Sequence, residues 1–305
     1  MAMELKAGSS RFLRFISSAM VFTQSAIVVT GASVRLTGSG LGCSTWPECT
    51  PGSYTPTPDQ PEAPLHAWIE FGNRLLTFVL FINALLLMLA IIKNGSSKEV
   101  KSRWIFLGAI QIFGILAQGV LGGITVLTGL NPATVAAHFL LSILLIAAAL
   151  SLRQRVHGRV PTSHSLKPLS KGLVRLHLIF TILVIAAGTV VTGSGPHAGD
   201  SAAERFNLDA RTMSWIHADL VIALLGITLA LLIAINLGEV SETKVEMGRS
   251  VQLFLVVALA QGALGYIQYF TGLPELIVGF HIFGAIIVWL SAWNIVIKGN
   301  VLSRS

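Results

Sequence analysis

Eight stretches of this chain are apolar over lengths that cross a bilayer, and few folds accommodate them. They cover residues 12–34, 69–92, 104–127, 136–152, 173–194, 213–237, 250–271 and 277–297. Each comes near or exceeds the ~20 helical residues that a membrane core demands. Charged residues are 11% of the chain and hydrophobic residues 53%, about half the charge of a soluble domain. The expected fold is therefore all-α, a polytopic membrane protein of eight transmembrane helices.

The net charge of +7 could suggest nucleic acid, but its placement excludes that. With the N-terminus inside, the inner loops hold Lys6, Arg11, Arg14, Lys93, Lys98, Lys101, Arg103, the run Arg153 to Arg175, Lys244, Arg249, Lys298 and Arg304. Arg35, Arg74, Arg205 and Arg211 fall at or beyond outer helix ends, and so do Glu48, Asp59, Glu62, Asp200, Glu204 and Asp209. This is the positive-inside pattern, and it predicts both termini in the cytoplasm. The first apolar segment lacks a convincing cleavage site, and the N-terminus does not resemble a mitochondrial presequence. A bacterial inner membrane is the simplest location.

The chain also repeats itself. Residues 116–138 read LAQGVLGGITVLTGLNPATVAAH and residues 259–281 read LAQGALGYIQYFTGLPELIVGFH. They align without a gap and pair Gln118 with Gln261, Gly122 with Gly265, Thr128 with Thr271 and His138 with His281. TGSG occurs at 37–40 and again at 192–195, leaving the first and fifth helices. Two four-helix halves follow, residues 1–152 and 173–305, joined by a cytoplasmic linker at 153–172. An even number of helices per repeat gives both halves one orientation, with an axis along the membrane normal. Gly122, Gly123, Gly188, Gly262 and Gly265 are expected to permit close helix approach.

Ionisable groups within spans are costly and usually functional. His66, His138, His217 and His281 open the four helices that run inward, all at one depth. His157 and His164 lie in the inner loop, His177 near the inner end of helix five, and His197 in an outer loop. His217 and His281 offer two neutral imidazoles from facing helices, as haem iron accepts in bundle cores. Zinc would want a third or fourth ligand.

The N-terminal half departs from that regularity. The repeat brings His217 within one residue of Asn73, so a histidine is missing there. His66, Glu70 and Asn73 share one helical face. His66 could ligate a differently placed cofactor or merely cap the site. Glu70 is the candidate catalytic residue, because a carboxylate one turn inside the boundary can stabilise positive charge or handle protons. It could also pair with Arg74, four residues on. Arg74, with Arg35 and Arg211, could meet haem propionates, since guanidinium suits carboxylates. The two cysteines, Cys43 and Cys49, share the first outer loop. There they could bridge in an oxidising setting and pin the loop over the N-terminal site, or stand as free thiols.

With these residues in view, the chain resembles the haem A synthase family, in an actinobacterial-type version. TGSGLGC followed by WPEC, the IEFGNR stretch, and histidines opening helices four, six and eight carry the resemblance. It implies a haem b between His217 and His281 in the C-terminal half. It also implies that haem O binds in the N-terminal half, where a ring methyl group is oxidised to formyl, giving haem A for terminal oxidases. Cys43, Cys49 and Glu70 match the family's cysteines and substrate-site glutamate, and His138 matches the second substrate-haem ligand. Asn73 stands where many members have a histidine. Handover by the haem O-forming farnesyltransferase and an electron donor are implied partners, and a homo-oligomer is compatible. Two other readings compete: a di-haem membrane cytochrome, which should pair histidines at both depths, and a non-catalytic haem transporter or chaperone.

Overall fold

The computed structural model describes residues 9–95, 97–160 and 166–300. Lys6, His164 and Arg304, used in the charge and histidine readings, lie outside those residues. The described residues form eight α-helices: α1 (Arg11–Leu36), α2 (Pro64–Lys93), α3 (Lys98–Leu127), α4 (Pro132–Val156), α5 (Pro168–Ser194), α6 (Ala210–Gly238), α7 (Ser241–Phe270) and α8 (Glu275–Lys298). All eight are long and apolar enough to cross a membrane, where only helices satisfy their own backbone polar groups segment by segment. Among the described residues, extended pairing is confined to one bridge between Thr50 and Ser53.

The helices outrun the apolar stretches that predicted them, for local reasons. Pro64 and Pro132 sit in the first turns of α2 and α4, where a missing N–H costs nothing. Asn131 caps α4 by accepting from the Ala133 N–H at 3.0 Å, and Asp209 caps α6 from the Thr212 N–H at 2.7 Å. α7 begins nine residues before its apolar run because Glu242, Lys244, Glu246 and Arg249 form good helix outside a membrane. Helix α4 continues to Val156 and α5 starts at Pro168, so both intrude on the expected 153–172 linker.

Helix packing builds two rings of four. α1 and α3 each pack on α2 and α4, so α2 and α4 stand diagonally across the first ring. α5 and α7 each pack on α6 and α8, which places those two across the second. The rings meet through α1, α4, α5 and α8. Trp289, the largest fully buried side chain, lies at this seam and donates its indole N–H to the Ile143 carbonyl at 2.7 Å. Around it, Val28, Ile143, Ile146, Ile185 and Ile286 form a core separate from that of either ring. Trp293 to Ser151 (2.8 Å) and Gln154 to Asn294 (3.1 Å) extend the seam with polar contacts.

The loops 37–63, 128–131, 195–209 and 271–274 gather at one end, termed here the histidine end. The Gly40 N–H donates to the Gly199 carbonyl at 2.8 Å, and His197 Nε2 lies 2.8 Å from the Leu273 carbonyl. A Cβ on Gly40 would lie 2.7 Å from the end of the Leu130 side chain and 3.1 Å from the Gly199 carbonyl oxygen, so the lack of a side chain there eases the approach. The duplicated TGL segments adopt the same turn: Leu130 and Leu273 both have φ of 60°. The N–H of each reaches back to Thr125 (2.9 Å) and Gln268 (2.8 Å). The two TGSG motifs differ. The first follows α1 as a loop, whereas Thr192–Ser194 complete the last turn of α5, with Gly193 against the Phe206 ring.

Candidate functional site

His138, His217 and His281 occupy the second turns of α4, α6 and α8, roughly 10 Å inside the helix starts. Each ring buries an Nδ1 that has no hydrogen-bond partner. His217 approaches the Val184 carbonyl without satisfying Nδ1. His217 and His281 belong to the same ring of helices. They project from the diagonal pair α6 and α8. Two neutral imidazoles at matched depth on the diagonal helices of one ring, each with a buried unpartnered nitrogen, are the donor set a b-type haem takes, so these residues fit that group.

The preceding helices complete the arrangement, by residues the sequence reading did not use for it. Gln118 and Gln261 donate through Nε2 to the carbonyls of His138 (3.0 Å) and His281 (2.7 Å). One turn later, Gly122 lies beside His138 and Gly265 beside His281, while Gly188 lies beside His217. The expectation of close helix approach therefore takes a more specific form at these three glycines. It fails at Gly262, where a Cβ would meet nothing within 4 Å. The signal was present in the sequence, since glutamine and glycine four apart recur in both copies of the repeat.

The fourth position holds Asn73. Its Oδ1 accepts from Thr30 Oγ1 at 2.7 Å, and Gly31 lies beside it on α1. One turn earlier, Glu70 is 6% exposed and engaged at both oxygens. Oε2 accepts the Cys43 N–H at 2.7 Å, and Oε1 accepts Arg74 Nη2 at 2.6 Å and Nε at 3.1 Å. Arg74 also donates to the carbonyls of Cys43, Thr45 and Glu48, at 3.0, 3.0 and 3.1 Å. The guanidinium that could have met a propionate is thus directed at the loop. Arg35 donates to the Thr192 carbonyl at 2.7 Å across the seam, and its Nε is buried without a partner. Arg211 is exposed.

Cys43 and Cys49 form a disulfide, and both are fully buried. Their loop lies across α2 and α3. A Cβ on Gly42 would stand 2.4 Å from the His66 carbonyl, and one on Gly123 would stand 2.4 Å from the Trp46 ring. Trp46 therefore packs directly on α3 next to the glycine that lies beside His138. His66, in the first turn of α2, is half-buried beneath this loop. A thiol probe should label neither cysteine in the unreduced folded protein and both after reduction in denaturant. Full labelling without reductant would remove the brace from the loop.

Two other histidines have definite places. His177 is fully buried on α5 with neither ring nitrogen partnered, edge-on to Phe254 at 4.3 Å. His157 ends α4 and reaches Ser18 and the Arg14 carbonyl, each at 3.3 Å.

The model of the COX15-CtaA family, described as cytochrome oxidase assembly protein, matches residues 11–293. Three curated relatives named haem A synthase are similar over shorter spans. The protein from Lysinibacillus sphaericus is 39% identical over 116 residues, 37% of this chain and 35% of its own length. Those from Geobacillus kaustophilus and Bacillus pumilus are 30% and 31% identical over 187 and 184 residues, or 59% and 60% of this chain. Those matches cover 56% and 57% of the relatives' own lengths. With nearly its whole length matched, the chain belongs to the COX15-CtaA family of cytochrome oxidase assembly proteins.

Proposed function

We propose that this chain is a haem A synthase, oxidising a ring methyl group of haem O to a formyl group and so providing haem A for cytochrome oxidase assembly. The names of its relatives support this reading. The observation that carries it is the inequality of the two rings. One carries an imidazole on each of its diagonal helices α6 and α8. The other opposes His138 with Asn73 and adds a buried carboxylate. An electron carrier gains nothing from that difference, whereas an enzyme needs one ring to do chemistry and another to serve it.

In this reading residues 1–152 hold the substrate and residues 173–305 hold haem b, ligated by His217 and His281. Haem b, when bound, passes electrons one at a time. His138 would hold the substrate iron from α4, and Asn73, the residue at the matching place on α2, would add no imidazole. His66 at the loop edge is a secondary candidate for contact with the substrate. Two successive hydroxylations by dioxygen, each consuming two electrons and two protons and releasing one water, would give a geminal diol that loses water to the formyl group in the N-terminal ring. Glu70 serves there by accepting a proton or stabilising positive charge, and a carboxylate with two partnered oxygens still has free lone pairs. Arg74 fixes the carboxylate and the loop together. Haem O arrives from the lipid or from the farnesylating enzyme, both termini face the cytoplasm, and the electrons that reduce dioxygen come from a membrane donor.

Cells that supply haem O and express this chain should yield haem A on extraction. A haem profile lacking haem A would leave the transporter reading in its place. Glu70→Gln keeps the shape and one acceptor but removes the charge. It should retain haem b while haem A yield drops about a hundredfold, the lower range for a positioned proton-transfer group. Unchanged yield would remove Glu70 from the mechanism.

A further inference from the structure

The three histidines share a contact that helix packing alone does not require. A Cβ placed on Gly122 would lie 3.3 Å from His138 Cε1, one on Gly188 3.3 Å from His217 Cε1, and one on Gly265 3.2 Å from His281 Cε1. In each case the glycine sits on the helix immediately before the histidine's own. Each ring therefore rests on bare helix backbone, where an added methyl group would push it by a few tenths of an ångström. Where the repeat supplies it, the neighbouring glutamine fixes the histidine's backbone as well: Gln118 at 3.0 Å and Gln261 at 2.7 Å.

Other glycines on the same helices show that this is specific to the rings. Gly119 and Gly262 stand three residues before Gly122 and Gly265 and occupy equivalent places in the repeat. A Cβ on either would meet nothing within 4 Å. Small residues at 119 and 262 are thus not demanded by sterics, whereas those at 122, 188 and 265 are. The fourth corner has the same plan with more room, since a Cβ on Gly31 would lie 3.9 Å from Asn73 Nδ2.

We propose that Gly122, Gly188 and Gly265 are positioning residues that set the tilt of the His138, His217 and His281 rings toward the iron each would bind. The proposal rests on the haem reading above. Its reasoning is that of outer-shell control: a ligand imidazole has rotational freedom about its side-chain bonds, and whatever it leans on decides its plane. In most histidine ligands a hydrogen bond from the second ring nitrogen does this. Here Nδ1 of all three rings is buried without a partner, His217 alone approaching a carbonyl, that of Val184, so steric support from the glycine backbone takes that role.

The test uses the full-length chain purified with haem b. Low-spin electron paramagnetic resonance g values report the mutual orientation of the two axial imidazoles. Transfer of haem to apomyoglobin reports how firmly it is held. Gly265→Ala should shift the g values and speed haem loss by about tenfold, the lower range for disturbing an outer-shell partner. Gly188→Ala should do the same from the opposite ligand, and it supplies the test if Gly265→Ala does not accumulate. Gly262→Ala, one turn away in open space, should match the unsubstituted chain in both measurements. Unshifted g values and haem loss in Gly265→Ala or Gly188→Ala overturn the proposal, even if thermal stability falls. An unsubstituted chain that binds no haem overturns the function proposed above, a result distinct from a loaded chain insensitive to the alanines.

Discussion

His281→Ala and His217→Ala should each abolish the low-spin haem b signal of the purified chain almost completely. A b-type iron held by two imidazoles is low-spin, and loss of either leaves one strong axial ligand and a loosely held, high-spin or absent haem. His138→Ala provides the contrast: the low-spin signal should persist while haem A yield collapses. The variants should fold without haem. Nδ1 of each ring is buried and unpartnered, so removing the imidazole relieves an unsatisfied polar atom, and at His217 it forfeits only the ring's approach to the Val184 carbonyl. Absorbance per mole of protein, measured beside thermal unfolding of the haem-free form, separates ligand loss from misfolding. A normal low-spin spectrum in His217→Ala would refute the assignment of haem b to the C-terminal ring.

The sequence made the architecture legible because it depends on patterns that composition preserves. Apolar runs locate spans whatever surrounds them, and the repeat marks His138 and His281 as equivalent positions. Helix ends were less legible, since the charged turns of α3 and α7 continue helix beyond the apolar core that gave them away. The roles of glycines were least legible. Gly122 and Gly262 look alike as letters, yet one faces an imidazole and the other open space. That difference depends on which helix stands opposite, a matter of tertiary packing. Trp46 illustrates the same limit: nothing in GCSTWPEC says that the indole will lie on Gly123 of a helix some 75 residues away. Similarly, the i,i+4 spacing of Glu70 and Arg74 predicted a pair, but not that three loop carbonyls would draw the same guanidinium out of reach of a propionate.

That guanidinium underlies the second large effect. Arg74 makes five hydrogen bonds, two to Glu70 and three to the carbonyls of Cys43, Thr45 and Glu48. Arg74→Gln removes the charge that compensates a carboxylate whose side chain is only 8% exposed. It also leaves carbonyls of the disulfide loop without donors. Breaking one side of such a pair costs about 3 kcal/mol, and the cost falls first on the loop, because the helices of the ring keep their own contacts. Opening of the loop is read directly by the Cys43 amide, which donates to Glu70 Oε2. Its hydrogen exchange should accelerate on the order of a hundredfold, the factor that 3 kcal/mol implies. Arg74→Lys should fall between, since an ammonium restores the charge but lacks the planar fork that spans carboxylate and carbonyls together. Exchange at Cys43 as slow in Arg74→Gln as in the unsubstituted chain would show that the disulfide alone holds the loop. The guanidinium would then be free to act elsewhere in the site.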